Sequence, residues 1–273
     1  MTDYYKELFL RNEGYVSPEL QEKIRNTRLL IAGCGIGSTI AEAAVRLGFE
    51  HFILADGDTV AVHNLNRQAY DFDDVGKKKV EALAARLKRI NPHLEIELHS
   101  DWITPENAAA LVAKCDFILD TIDFLDIAAI TAVHDAARVQ KRSIISGVSA
   151  GWGAVAVYVP PTGEAVTPFR RIFKLPDTGP VQNESYVGHF AHLIDGLKDQ
   201  LDPKVVEAMA KALTVMEDGT PCPAPHVSAG STAVASLATT MIARILNGEP
   251  VAAAPRLIAV TMDMYAKEGS LDM

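Results

Sequence analysis

The sequence predicts an α/β fold: a Rossmann-like, doubly wound and mostly parallel sheet with antiparallel C-terminal strands and a helical excursion. Three observations predict it. Short apolar segments alternate with helical patterns up to residue 146, the segments between successive strands are long enough for crossovers, and a glycine cluster follows the first apolar segment. With 273 residues, of which 48% are hydrophobic, the chain can bury a large core.

Apolar or β-rich segments predict five strands, at residues 28–32, 51–55, 94–98, 116–120 and 142–146. Helical periodicity predicts the helices between them, near residues 37–47, 76–90, 105–113 and 126–139. Since each crossover can form a right-handed βαβ unit, we expect these strands to run parallel, with helices on both faces.

The pattern changes after Gly147. The segment GWGAVAVYVPPTG predicts a strand that runs into a Pro-Gly turn, and we expect this strand to be antiparallel. Asp202-Pro203 resembles an N-cap followed by a first-turn proline, which predicts a helix to about Met216. A long helix rich in small residues follows, and residues 256–265 predict a last strand.

We expect a single domain over residues 1–273. Residues 1–27 would form an N-terminal helical arm, residues 28–146 a nucleotide-binding half, and residues 147–273 a substrate and dimer half. The helical excursion would lie near residues 186–216.

Composition excludes several classes of function. The formal charge is 26 − 35, or −9, which disfavours binding to nucleic acid or an anionic membrane. Three cysteines without a C-x-x-C pair predict no structural zinc and a reducing cytoplasm. Residues 1–14 lack the apolar core of a signal peptide. The stretch 229–246 is interrupted by Ser, Thr and Arg244, so we expect a buried or subunit-packing helix instead of a membrane span.

A glycine cluster follows the first predicted strand. Gly33, Gly35 and Gly37 permit a tight turn and a close approach to phosphate at a helix N-terminus. The strict G-x-G-x-x-G pattern is not met, because Ser38 holds its third glycine position. The alternative interpretation is a packing turn without a ligand. Asp56, after the second strand, can bind ribose hydroxyls, and up to this point NAD and ATP fit equally well.

The next polar segment separates these two ligands. It contains Asn64, Arg67 and Gln68, followed by Lys77–Lys79 at a predicted helix start. Lysines beside a helix N-terminus are electrostatically unfavourable unless a polyanion lies nearby. An enzyme that expels pyrophosphate needs such cations, whereas a dehydrogenase does not. The alternative is a solvated basic helix face. For Asp58 we favour an ordinary turn over a supporting role in the site.

Two aspartates end the fourth predicted strand. Asp120 and Asp123 lie at the sheet edge where ligands of open α/β sheets bind, and Asp123 could hold Mg²⁺ against triphosphate oxygens. The alternative is an N-cap for the helix near 126–139.

These motifs together resemble a known family. GCGIGS, DGDTVAVHNLNRQ, DVGKKKVEALAARLKRINPH and LDTID occur in an order similar to that of the ubiquitin-activating-enzyme-like ThiF/MoeB/HesA adenylyltransferases, over at least residues 8–160. The combination of NLNRQ with VGKKKVE carries the specificity of this resemblance, because the glycine loop alone does not.

The resemblance implies that ATP binds on the glycine loop, with Asp56 on the ribose and Asp123 on Mg²⁺. It further implies that Asn64, Arg67 and Lys79 contact the phosphates, with Gln68 supporting. A substrate carboxylate would attack the α-phosphate and release pyrophosphate. Arg11 resembles an arginine that reaches the partner subunit's ATP site, which implies a homodimer. The alternative for Arg11 is an exposed arginine on the arm.

The sequence also departs from the family. Phe124 stands where the family has asparagine, and the paired C-x-x-C zinc site is absent. Cys222 is the sole loop candidate for a nucleophile, and its alternative is a buried loop cysteine. The expected substrate is the C-terminus of a ubiquitin-like or sulfur-carrier protein, or a peptide. Alternatives are a natural-product peptide or small molecule, an NAD-dependent oxidoreductase, and a nucleotide-binding module without catalysis.

Overall fold

A computed structural model describes residues 4–123, 126–162, 168–172, 174–181, 195, 199, 201, 203–217 and 225–262. Three residues that carried sequence predictions, Phe124, Asp202 and Cys222, lie outside these described residues. The same holds for most of the expected helical excursion before residue 203, and the division of the chain into an arm and two halves stays a prediction.

Seven strands form one sheet in the order β3-β2-β1-β4-β5-β6-β7. The strands are β1 (Arg28–Ala32), β2 (His51–Ala55), β3 (Glu95–His99), β4 (Phe117–Asp120), β5 (Ser143–Ala150), β6 (Gly153–Val159) and β7 (Ile258–Thr261). The first five run parallel, and β6 and β7 pair antiparallel. The predicted fold class is therefore confirmed, together with the antiparallel strand after Gly147.

The helices are α1 (Tyr4–Leu8), α2 (Pro18–Asn26), α3 (Gly37–Leu47), α4 (Lys79–Ile90), α5 (Pro105–Val112), α6 (Ile127–Val139), α7 (Pro168–Ile172), α8 (Pro203–Glu217) and α9 (Ser228–Leu246). The predicted start of α4, near residue 76, was a few residues too early. Gly76 has a φ of +86°, and Lys78 forms a β-bridge with Thr59, so neither residue is helical. The helix therefore begins at Lys79.

Two apolar layers cover the sheet. Residues of α3, α4 and α9 form the core on one face, and residues of α5 and α6 form it on the other. By length and composition α9 could cross a membrane, but half of its most apolar window is buried inside the protein. Gly230 allows α9 to approach the sheet closely, since a Cβ there would lie 2.5 Å from the Gly151 carbonyl oxygen.

The N-terminal arm caps the C-terminal end of α3. The side-chain amides of Asn12 and Gln21 each donate to the Leu47 carbonyl at 3.0 Å, and the Tyr5 hydroxyl donates to the Gly48 carbonyl at 2.8 Å. These bonds satisfy carbonyls that lack partners within the helix. They hold the arm at the end of α3 that is remote from the glycine loop.

Candidate functional site

A cleft of about 740 Å³ opens at the carboxyl ends of the central parallel strands. It lies where the strand order reverses, between β1 and β4, which is where ligands of open α/β sheets bind. Most of the residues that the sequence singles out line this one cleft: Gly33, Gly35, Asp56, Asn64, Arg67, Gln68, Lys79 and Asp123. Gly37 and Arg11 are not among its lining residues.

The three glycines of the loop after β1 have different roles. Gly33 has a φ of +88°, and a Cβ there would lie 2.6 Å from the Thr121 carbonyl oxygen. A Cβ on Gly37 would lie 2.7 Å from Thr121 Oγ1, so Gly37 serves the packing of α3 on the sheet. At Gly35 the nearest atom is Gln68 Nε2 at 3.4 Å, so the missing side chain leaves the loop backbone open to the cleft. The packing interpretation therefore applies to Gly37, and the ligand interpretation fits Gly35.

Asp56 is buried at the end of β2 and held by backbone N–H groups. Its Oδ2 accepts from the Cys34 N–H at 2.7 Å, and its Oδ1 accepts from the Asp58 N–H at 2.8 Å. Burial, and then the charge of Asp56, raises the pKa of the Cys34 thiol well above its usual value. Cys34 is therefore an inert thiol in the loop, while the fixed carboxylate of Asp56 lines the cleft.

Lys79 reaches the cleft as half of an ion pair. Its Nζ lies 2.6 Å from Asp58 Oδ2, and the Lys79 side chain is only 8% exposed. Burial alone would raise the pKa of Asp58, but the hydrogen bond and charge of Lys79 outweigh it and hold that pKa below its usual value. Asp58 also accepts from the Thr59 N–H, as a turn aspartate does. Asp58 is thus a turn residue, as expected from the sequence. It also positions Lys79, a supporting role that the sequence did not favour.

The three lysines of this run have different surroundings. Lys77 pairs with Asp74 at 3.2 Å, and Lys78 donates to the Gly57 carbonyl at 2.7 Å. The two side chains diverge from Lys79 because they precede the helix, on a segment without helical spacing. Lys79 alone among the three lines the cleft.

The segment between β2 and α4 supplies the remaining polar groups. Asn64 Oδ1 accepts from the Ala61 N–H at 2.9 Å, which closes the 3-10 turn Val62–Asn64. Arg67 Nη1 donates to the His63 carbonyl and to Asn66 Oδ1, each at 2.8 Å. Burial lowers the pKa of Arg67 although the charge of Asp123 opposes this shift, which places these two residues near each other.

Gln68 carries a buried oxygen without a partner. Its Oε1 finds no hydrogen-bond partner among the described residues, although its side chain lines the cleft. A buried polar atom left unpaired costs free energy, so the atom points to a ligand or an ordered water at this position.

Asp120 and Asp123 differ in their surroundings. Asp120 Oδ2 accepts from Ser146 Oγ at 2.8 Å and lies 3.0 Å from His134 Nε2, while its Oδ1 accepts from the Ile122 N–H at 3.2 Å. Asp120 thus secures the turn that carries Asp123, whose exposed carboxylate lines the cleft. The N-cap of α6 is Asp126, which accepts from the Ala129 N–H, so the capping interpretation of Asp120 and Asp123 is wrong.

His226 also lines the cleft. Burial, and then the charge of Arg67, lowers the pKa of His226 to about 4, with Asp123 acting in the opposite direction. Its carbonyl accepts from Asn66 Nδ2 at 3.2 Å, and its buried Nδ1 has no partner among the described residues. No motif marks this histidine, since it comes to the cleft through the loop before α9.

Magnesium fits this donor set. Among the described residues no group of three potential ligands could hold a metal ion alone. Mg²⁺ needs only one or two carboxylates in addition to phosphate oxygens and water, and Asp123 offers one at the cleft. Aspartates also outnumber Lys and Arg among the described lining residues, so a bound polyphosphate needs an accompanying cation.

Several proteins of known name are similar to this chain in sequence. The sulfur carrier protein adenylyltransferase of Thermus thermophilus is 30% identical over 196 residues, which are 70% of this chain and 70% of that protein. The molybdopterin-synthase adenylyltransferase of Escherichia coli is 30% identical over 167 residues, which are 60% of this chain and 65% of that protein. The tRNA threonylcarbamoyladenosine dehydratase of Haemophilus influenzae is 32% identical over 124 residues, which are 44% of this chain. The chain spans about half, 48%, of the length of that relative.

Solved structures share the fold. PaaA aligns with a TM-score of 0.69 at 17% identity, over 96% of this chain and 72% of that one. The complex of E. coli MccB with ATP aligns with a TM-score of 0.64 at 20% identity, over 96% of this chain and 69% of MccB. E. coli tRNA N6-threonylcarbamoyladenosine dehydratase, TcdA, aligns with a TM-score of 0.62 at 19% identity, over 90% of this chain and 97% of TcdA.

A profile of the ThiF family matches residues 9–266, nearly the whole chain. This match extends the resemblance found in residues 8–160 through α8 and α9 to the last strand. The glycine loop, the segment with Asn64, Arg67 and Gln68, and the aspartates after β4 line one cleft of the expected sheet. The chain belongs to the ThiF family.

Proposed function

We propose that this protein is an adenylyltransferase that uses ATP and Mg²⁺ to activate a substrate carboxylate. One observation carries the proposal. The glycine loop, Asp56, Arg67, the Lys79–Asp58 pair and Asp123 converge on one cleft at the reversal point of the sheet. The family and the names of the relatives support the same activity.

ATP is held by groups that are already in position. The backbone at Gly35 receives the phosphates, and the buried carboxylate of Asp56 accepts from the ribose hydroxyls. Asn64 Oδ1 is occupied by Ala61, so its amide nitrogen is the atom that donates to a phosphate oxygen. Arg67 presents several N–H donors, and Lys79 a compact charge.

In the reaction, an oxygen of the substrate carboxylate bonds to the α-phosphorus. The bond from that phosphorus to the bridging oxygen breaks, and its electron pair leaves on pyrophosphate. No general base is required, because a carboxylate is ionised near pH 7. Arg67 and Lys79 stabilise the charge that builds on the departing oxygens. Mg²⁺ held at Asp123 would shield the phosphates from the aspartates of the cleft.

The active form that we propose is a homodimer. Arg11 is exposed on the 3-10 turn Leu10–Asn12, which the arm fixes at the C-terminal end of α3. The glycine loop lies at the other end of this 11-residue helix, which is about 16 Å long at 1.5 Å per residue. Arg11 is therefore displaced from its own cleft and available to that of a partner subunit. We place the protein in the cytoplasm, where buried thiols such as Cys34 and Cys115 remain reduced.

Nucleotide binding tests the proposal directly. We expect titration calorimetry to detect binding of ATP with MgCl₂ and a markedly weaker signal for NAD. The reverse preference would support an oxidoreductase and contradict the proposal. Exchange of labelled pyrophosphate into ATP, measured with carboxylate substrates, then separates an adenylating enzyme from a module that only holds nucleotide.

The substrate is a carboxylate at the end of a carrier protein or a peptide. The relatives are named for action on a sulfur carrier protein and on molybdopterin synthase, and MccB has been crystallised with MccA.

A further inference from the structure

The cleft has two chemically different walls. The charged wall consists of Asp56, Asp58, Arg67, Lys79 and Asp123, which follow β2 and β4 or begin α4. The apolar wall consists of Val148, Val155, Phe169, Val205, Ala208 and Met209, from β5, β6, α7 and α8. The contacts to ATP proposed above use the charged wall, Asn64 and the glycine loop, which leaves the apolar wall to be explained.

Strand register explains the floor of the apolar wall. Val148 of β5 pairs with Val155 of β6, and directly paired residues share one face of a sheet. Ser146, two residues before Val148, lies on this same face and bonds to Asp120. The floor is therefore continuous with the turn that carries Asp123. Ala150 extends this floor with a side chain of minimal size, which leaves space above it.

The roof of the apolar wall is one stripe of α8. Val205, Ala208 and Met209 are spaced i, i+3 and i+4, so they share one helix face, and all three line the cleft. The helix stands close to the β5–β6 turn, since a Cβ on Gly151 would lie 3.1 Å from Val205 Cγ2. An amphipathic helix ordinarily buries such a stripe in a core. Here the stripe faces a space that can receive a ligand.

The charged wall and the apolar wall line one cleft. His226 lines the same cleft as the stripe of α8, and its carbonyl accepts from Asn66, next to Arg67, at 3.2 Å. A carboxylate placed for attack beside Arg67 and Asp123 would therefore have its neighbouring carbon atoms against the apolar wall.

We propose that the apolar wall binds a bulky non-polar group next to the carboxylate that is activated. The inference rests on the adenylating function proposed above and names its substrate class. The substrate is a peptide whose last residue is apolar, or a small acid with the same chemistry. A glycine-terminated carrier tail has no side chain to fill this space, and an unfilled apolar cavity forfeits the contacts that would hold the substrate.

Matched substrates test the inference. Pyrophosphate–ATP exchange is measured with two hexapeptides that differ only in the last residue, leucine or glycine, and with N-acetyl-leucine as the small acid. We expect kcat/KM to be on the order of 10- to 100-fold higher for the leucine peptide than for the glycine peptide. N-acetyl-leucine distinguishes the two sources, because exchange with it as well means that the rest of a peptide is dispensable.

Substitutions in α8 connect the preference to the apolar wall. Ala208→Phe fills the space, and we expect it to reduce exchange with the leucine peptide at least tenfold while ATP binding is unchanged. Met209→Ala enlarges the space and should raise exchange with a phenylalanine-terminated peptide, which a misfolded protein would not do. The control is Glu207→Phe, because Glu207 is exposed on the same helix and pairs with Lys211 on the surface.

Each outcome decides a different claim. Equal or faster exchange with the glycine peptide overturns the inference but leaves adenylation standing. Exchange with none of these acids by a protein that binds Mg-ATP also overturns the inference. Failure to bind Mg-ATP overturns the proposed function itself.

Discussion

At the residue scale, the cleft consists of side chains that are fixed before any ligand arrives. Asp56 is held by two backbone N–H groups, Asn64 by Ala61, and Lys79 by Asp58. Groups that are already oriented need not reorganise as charge develops in a transition state, which is where their electrostatic effect is greatest. Arg67 has the same property through its bonds to His63 and Asn66.

Removing one cation should slow adenylation without unfolding the protein. We expect Lys79→Ala to lower kcat for pyrophosphate exchange by on the order of a hundredfold, the usual effect of losing one donor to a developing anion. Arg67→Ala should act similarly. Lys77→Ala is the matched control, because Lys77 belongs to the same lysine run but pairs with Asp74 outside the cleft. Equal rates for the Lys77 and Lys79 variants would contradict the assignment of Lys79.

The glycine loop makes a prediction about stability. Gly33→Ala places a Cβ against the Thr121 carbonyl in a left-handed conformation, so we expect a loss of about 3 kcal/mol or more in the free energy of unfolding. Gly14 has a similar φ of +93° but nothing within 4 Å, and Gly14→Ala should cost only about 1 kcal/mol. Urea denaturation measures both, and equal losses would mean that contact with Thr121 is unimportant.

Residue roles were predictable where a motif has a mechanism. Glycine spacing, a carboxylate after β2 and the NLNRQ segment identified residues that line one cleft. Sequence gives the charge of three adjacent lysines but not the residue at which α4 begins, so it does not explain why Lys79 alone of the three lines the cleft. Asp120 was marked by its place after a strand, but its bonds to His134 and Ser146, like the contact of His226 with Asn66, join distant segments that no local pattern connects.

At the element scale, the end of α3 depends on the arm. Burial raises the pKa of Tyr5 to about 12 from an ordinary value of 10.0, although its hydrogen bond with Gln21 opposes the shift. Between these values the unfolded chain loses the Tyr5 proton while the folded protein keeps it. The free energy of unfolding should therefore fall as pH rises from about 10 to about 12, and the contribution is fully present below pH 10.

Tyr5→Phe tests this linkage. The variant should lose about 1–2 kcal/mol below pH 10, because the Gly48 carbonyl loses its donor, and its stability should depend less steeply on pH above 10. Thermal unfolding across this pH range is the measurement. Tyr15→Phe is the control, since Tyr15 is 96% exposed and should leave the profile unchanged.

Element positions followed from periodicity and capping signals, and most boundaries agreed within a few residues. β1, α3 and β2 match the prediction, and the proline at 203 opens α8 as expected. β5 extends to Ala150, past the predicted end at 146, because its antiparallel pairing with β6 continues to the turn at Gly151. Such pairing depends on a partner strand, which the periodicity of one segment does not contain.

At the scale of the whole molecule, the position of Arg11 predicts that each active site uses two chains. Co-expression of Arg11→Ala with Lys79→Ala subunits should restore activity, because one cleft of each mixed dimer has an intact Lys79 and receives Arg11 from the other chain. With random pairing, roughly a quarter of wild-type exchange activity is expected. Each variant alone should be nearly inactive. Mixed dimers without activity would contradict a contribution from the partner subunit.

The overall topology was predictable because parallel strands joined by helices allow few arrangements. The contribution of α8 to the cleft was not predictable, because α8 lies far along the chain from the glycine loop and amphipathic periodicity does not tell a stripe that lines a cleft from one buried in a core. The single-domain boundary and the dimer stay predictions of the sequence and the geometry.

The separation of the two walls has a consequence for how this enzyme could diversify. The proposed contacts to triphosphate come from strand ends and from α4, whereas part of the proposed acid selection comes from α8, a separate helix. Exchange of residues on α8, by evolution or by design, should therefore change which acid is accepted while the residues proposed to bind ATP stay unchanged.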